Sequence, residues 1–275
     1  MPIDLPRLAR ASGKRRNIVF RPIIPTSAQA TDLAAILLPA VNIWALAKPR
    51  ILAGYDPKPF TADSASDMQS AIDQTAAEFS RVVFALGLQT RQWVLRIERW
   101  HRAKWVGAAL SATGIDLGTV LTSGVDPETV EAFVARNVAL AKNISDQAQA
   151  RISDSVFRGY QQRTPVREVA KEIDEAVGLG KQRARAIAQD QLSKLSAALD
   201  TERMADAGIE MWKYRHSGKL HPRSTHKARD GRIYDLKTNK QIDGPDQIAS
   251  GDGPGEPPYC GCRKQSYIRL IEELD

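Results

Sequence analysis

The chain has 275 residues and a mass of 30.3 kDa, enough for one large domain or two ordinary ones with a real core. Hydrophobic residues make up 43% and charged residues 26%, which excludes a chain disordered throughout. Two cysteines, Cys260 and Cys262, exclude a disulfide framework, and no apolar run approaches the roughly 20 residues of a bilayer span. The best apolar stretch, Leu33 to Leu46, is interrupted by Pro39 and Asn42. The first residues lack the layout of a secretory signal, so a soluble protein, not exported by that route, is expected.

The net charge of +7 is unevenly spread. Six basic residues (Arg7, Arg10, Lys14, Arg15, Arg16, Arg21) face only Asp4 in the first 21 residues, a local net of +5. A second cluster, Arg81, Arg91, Arg96, Arg99, Arg102 and Lys104 against Glu98, is again +5, so the remainder is slightly acidic. Such clusters attract polyanions through counterion release. The alternative is a solvated tail and an amphipathic helix whose arginine stems cover apolar surface, the better reading for the second cluster.

In chain order, Pro2, Pro6, Pro22 and Pro25 among these cations predict an extended basic arm over 1–25 that orders only on a partner such as DNA or an acidic protein surface. Thr26 or Ser27 can cap a helix running to about Ala47, with a break at Pro39 and a stop at Pro49. A loop follows around Gly54, Pro57 and Pro59. Met68, Ile72, Ala76, Phe79, Val83 and Leu86 then recur at helical spacing. A further helix is expected from near Gln89, carrying Trp93, Ile97, Trp100 and Trp105. Tryptophans between arginines can stack on bases, but at helical spacing they read better as a core stripe. Asp126 before Pro127 is an N-cap signal for a helix to about Tyr160. Thr164 and Pro165 start a short helix to Gly178, and a last one runs from Gly180 to Ala207, ended by Gly208. Beyond it, Met211 to Tyr214, Arg232 to Tyr234 and Gln265 to Ile268 have strand composition. Between the last two, eight of the sixteen residues from Asp243 to Pro258 are Gly or Pro, so an irregular loop tied down at both ends is expected. The predicted fold is mainly α: an elongated helical domain over 26–207 with a small, loop-rich α+β module over 208–275.

His216, His221 and His226 fall in this module with both cysteines. Thiolate and imidazole suit zinc, and His221, His226, Cys260 and Cys262 complete a tetrahedral set for a structural site. A module this small gains from such a cross-link. The alternative is that the cysteines are small buried hydrophobes and the histidines hydrogen-bonded surface groups.

The run Trp212, Arg223, His226, Asp230 with Gly231, a Pro/Gly-rich loop, then Pro257, Pro258, Cys260 and Cys262 resembles the carboxy-terminal module of the phage Mu F-like head-morphogenesis, or minor head, proteins. The resemblance covers roughly residues 155–270. Where that family has an Asp and its first Arg, this chain has Lys219 and His221, and His221 can take the place of a lost ligand. The resemblance implies a non-enzymatic minor capsid protein in the virion, inside the head near the portal, and in the host cytoplasm during assembly. Its implied partners are the portal protein, the major capsid protein and packaged DNA, with a role in packaging or ejection and none at a membrane. Two other classes remain. One is a metal-dependent nuclease in which His221 or His226 activates water and Asp230 binds the metal. The other is a DNA-binding module using the arm. The Gly-rich phosphate loop, the nucleophile elbow and the His-Glu-x-x-His motif are all missing from the sequence.

Overall fold

The computed structural model of the chain describes residues 3–55, 62–121 and 124–271. In chain order its elements are α1 (Leu5–Ala11), β1 (Ile18–Val19), α2 (Ser27–Leu37), α3 (Pro39–Ala53), α4 (Ala62–Thr113), α5 (Pro127–Gln162), α6 (Val166–Asp206), β2 (Met211–Arg215), α7 (Ser224–Ala228), β3 (Ile233–Asp235) and β4 (Arg263–Ile268). The protein is mainly α with one small antiparallel sheet. Among the described residues no single helix is long and apolar enough to cross a membrane. The loop positions Pro57 and Pro59 lie outside the described residues.

The helices are longer than their punctuation suggested. The break at Pro39 is present, and α2 and α3 meet there at 45°, but α3 runs through Pro49 to Ala53. Proline there forfeits one backbone hydrogen bond near the helix end, and the buried Trp44, Ala47 and Ile51 around it outweigh that loss. The two helices expected on either side of Leu88 are one, α4. The two expected on either side of Leu179 are also one, α6. An interior glycine costs a helix about 1 kcal/mol, which a long buried stripe easily exceeds. Two of the end signals read from sequence, Asp126 and Gly208, are in place. Asp126 Oδ1 accepts from the Glu128 N–H at 2.9 Å. At the end of α6, Ile209 N–H bonds Met204 O at 2.8 Å and Gly208 N–H bonds Ala205 O at 3.1 Å, a Schellman closure with Gly208 at φ +66°.

The chain divides into two compact units that are interleaved in sequence rather than consecutive. One comprises Ser27–Trp93 and Val130–Gln189. Its core holds Leu33, Leu37, Trp44, Ile51, Met68, Ile72, Trp93, Ile144, Ile152 and Val156. The polar ends of its aromatic residues are satisfied: Trp44 Nε1 donates to Ser145 Oγ at 2.9 Å, Trp93 Nε1 to Gln29 O at 3.0 Å, and Tyr55 Oη to Thr164 O at 2.7 Å.

The other unit comprises Met1–Thr26, Val94–Thr129 and Asp190–Asp275, and here the expectation of an extended arm fails. Asp4 caps α1 through the Arg7 N–H at 2.9 Å, and Leu5 and Ala9 are fully buried. β1 pairs with β4 in the register Ile18 to Ile268 and Val19 to Tyr267. Phe20 packs on Trp105 with ring centroids 5.4 Å apart. Proline and arginine content argued for an unpacked segment, but Leu5, Ala9, Ile18, Phe20 and Ile23 supply an apolar face that the rest of this core needs. The six basic side chains of the segment, Arg7, Arg10, Lys14, Arg15, Arg16 and Arg21, are all exposed. The sheet order is β1-β4-β2-β3, all antiparallel, with β4 central. Trp105 is buried in this core and Trp93 in that of the other unit, so these tryptophans are core residues rather than stacking platforms.

Candidate metal centre

The alternation along β2 buries Trp212 and Tyr214 on one face. With Tyr234 of β3 they form an aromatic wall, Trp212 and Tyr234 stacking at 4.9 Å. Between β2 and β3 the chain makes α7, whose buried residue is His226, and its ring meets Tyr214 edge-on at 5.9 Å. Gly231, at φ +83°, returns the chain, and its N–H bonds Tyr214 O at 2.9 Å.

The Pro/Gly-rich loop then brings the cysteines to this ring. Residues of α6 pin it: Lys194 Nζ donates to Glu256 O at 2.6 Å, and Asp190 Oδ1 accepts from the Tyr259 N–H at 2.6 Å. Gly255 has φ +81°, and a Cβ there would lie 2.7 Å from the Ala197 Cβ, so both conformation and contact with α6 demand glycine. Its N–H donates to Cys260 Sγ at 3.5 Å.

His226 Nδ1 lies 3.6 Å from Cys260 Sγ and 3.7 Å from Cys262 Sγ. All three side chains are buried, and their donor atoms lie within 4.8 Å of one another. Zinc bonds of about 2.05 Å to nitrogen and 2.3 Å to sulfur, at a tetrahedral angle, require an N···S separation of about 3.55 Å. The observed separations fit that geometry. The other ring nitrogen, Nε2, is 3.0 Å from Asp252 Oδ1. A carboxylate holding the far nitrogen leaves the near one as a lone pair aimed at the sulfurs, the usual support behind a metal-bound histidine. Asp252 is itself held by Arg229 at 2.7 Å, and Arg229 also binds Asp246 at 2.8 Å, which accepts from Tyr234 Oη at 2.7 Å. The cluster can therefore hold a metal ion.

The electrostatics agree. A hydrogen bond from Cys262 pulls the Cys260 pKa down despite burial, with help from the Gly255 N–H. The same interaction together with burial pushes Cys262 up, so the pair gives up its first proton readily. Burial and then the neighbouring Cys262 push the Tyr214 hydroxyl up. That hydroxyl has no partner of hydrogen-bonding geometry among the described residues. Burial opposes the charge on Arg229, but Asp246 and Asp252 outweigh it and hold its pKa above the ordinary value.

Three of the four predicted ligands thus come together, and His221 does not. It lies exposed in the turn before α7. That turn is tied down by Lys219 Nζ on Tyr259 O at 2.5 Å and Arg223 on Pro258 O at 3.0 Å, which leaves His221 on the outside. Asp230, the proposed metal ligand of a nuclease, instead accepts from the His216 N–H at 2.8 Å and lies outside the cluster. Sequence reasoning missed Asp252, Arg229 and Tyr214. The density of glycine and proline marked the loop that carries Asp252, but nothing local marked which of its carboxylates would face His226.

Residues 146–265 match the family described as phage Mu protein F like protein, a segment somewhat under half of the chain. An uncharacterized protein of Haemophilus influenzae is 30% identical over 163 residues, 59% of this chain. The chain spans only 35% of that relative's length. No solved structure matches. The matched segment contains Trp212, Arg223, His226, the Asp230-Gly231 turn, Cys260 and Cys262, so it is this part of the chain, with the whole cluster in it, that is similar to the phage Mu protein F like family.

Proposed function

We propose that this protein is a minor head protein of a phage particle, acting without catalysis in capsid assembly at the portal. The observation that carries this reading is the family match over 146–265, which includes the whole His226, Cys260 and Cys262 cluster. In this reading the cluster holds one structural zinc, which joins α7 to the start of β4 and braces a module of little apolar mass. Three protein donors leave one tetrahedral position open, and it is the burial of all three that favours a structural site over a nuclease centre, because a phosphodiester must reach the open position. The exposed cations Arg7, Arg10, Lys14, Arg15, Arg16 and Arg21 supply a surface for packaged DNA or an acidic portal face.

Coexpression with a phage portal protein tests the assembly role. Co-purification with the portal ring is expected, and a portal that elutes alone refutes it. Purified protein should carry about one zinc per chain. Cys260→Ser should lose the zinc and lower the melting temperature; equal stability with and without metal removes the structural site. Plasmid incubated with magnesium, manganese or zinc should stay intact, and cleavage abolished by His226→Ala would instead establish the nuclease.

A further inference from the structure

A groove of about 410 Å³ lies on the unit built from Met1–Thr26, Val94–Thr129 and Asp190–Asp275, away from the His226 cluster in sequence and lined by none of its residues. One wall is the segment from Arg21 to Ile24 and the other is α4 from Trp100 to Ser111. We propose that this groove docks a peptide segment of another protein, one that presents a large apolar anchor flanked by carboxylates.

The segment 20–24 is fastened from below. Phe20 and Ile23 are buried at 2% and 7% exposure, whereas Ile24 is 66% exposed at the edge of the groove. A large aliphatic side chain held outward beside a cavity lined by Pro22, Trp100 and Ala108 is unfinished apolar surface. On α4, Gly107 is open to the groove. A Cβ at this position would meet nothing within 4 Å. Glycine in a helix interior is unfavourable relative to alanine, and no contact within the described chain needs the bare backbone there. A partner lying close along α4 would need it.

Charge selects the partner. Arg21 and Lys104 flank the cavity, both exposed, no acidic side chain lines it, and neither cation forms an ion pair among the described residues. Carboxylates beside the anchor would complete these two cations and be steered by them. Duplex DNA also answers positive charge, but it offers no apolar group to fill a pocket walled by Ile24 and Trp100, so the observations favour a peptide. The inference stands apart from the head-assembly reading, since it concerns neither the metal cluster nor the portal as such.

Panning a random short-peptide library on the full-length protein tests it. Selected peptides should share one large apolar residue with neighbouring Asp or Glu, and synthetic copies should bind saturably by anisotropy. Gly107→Trp, which fills the groove from an open position, should weaken binding roughly tenfold or more with an unchanged melting temperature. Arg21→Glu combined with Lys104→Glu should weaken it and remove its salt dependence. Selection of basic peptides, selection of no common motif, full-strength binding to Gly107→Trp, or displacement of the peptide by a duplex oligonucleotide would each overturn the proposal.

Discussion

Replacing Phe20 by alanine tests whether the amino-terminal segment is part of the folded core. Phe20 is 2% exposed, packs on Trp105 at 5.4 Å, and is held in register by its N–H on Ser266 O at 3.0 Å. Its backbone bonds survive the substitution, so the loss is the side chain's. Burying a phenylalanine contributes about 1.5–3 kcal/mol by transfer alone. The aromatic pair adds about 0.5–1.5 kcal/mol. With the cavity left behind, a total of about 4 kcal/mol is expected, within the usual 3–5 kcal/mol for Phe→Ala in a core. At an m value of about 2 kcal/mol/M the urea midpoint should fall by about 2 M, read by tryptophan fluorescence since Trp105 is the direct neighbour. The exposed pair Arg15→Ala and Arg16→Ala serves as control and should stay within about 0.5 kcal/mol. A loss below about 1 kcal/mol for Phe20→Ala would mean that the segment is not anchored and that the extended-arm expectation was right.

Three further predictions follow the same logic. Arg203 bonds Glu98 at 2.5 Å with side-chain exposures of 1% and 5%, so Glu98→Gln should cost about 3 kcal/mol by urea titration, while pairing Glu98→Met with Arg203→Met should recover most of it. In α6, a Cβ on Gly180 would lie 2.9 Å from Val41 Cγ1, whereas one on Gly178 meets nothing within 4 Å. Thermal melts should therefore show Gly178→Ala stabilising by up to about 1 kcal/mol and Gly180→Ala destabilising despite the same gain in propensity. Burial opposes the charge on Asp246, but hydrogen bonds from Arg229 and Tyr234 outweigh it and depress its pKa. Its contribution is thus present above the unfolded value of about 4 and lost as pH falls through the lower folded value. Asp246→Asn should be less stable than the parent at pH 7, and the gap should close in acid; a gap that persists at low pH would contradict the pairing.

Much of this protein was legible in order along the chain, because the features concerned are local. Helix periodicity, the Asp126-Pro127 start, the Gly208 stop and the strand-like Met211 to Tyr214 depend on neighbours within a few residues. The His and Cys constellation was legible for a different reason: few residue types bind soft metals, and these are concentrated in one module. What sequence could not decide was every outcome settled by a distant partner. Gly178 did not end its helix, because buried stripes on both sides outweigh a local cost. The basic segment is packed over its described residues 3–25, because β4 offers a free edge and Trp105 a hydrophobic neighbour for Phe20, and both lie far along the chain. His221 and His226 are five residues apart and equally suited to a metal by composition. Only the tertiary fold, by placing α7 against Asp252 and the Cys260 loop while tying the preceding turn to Tyr259 and Pro258, puts one inside the cluster and the other in solvent.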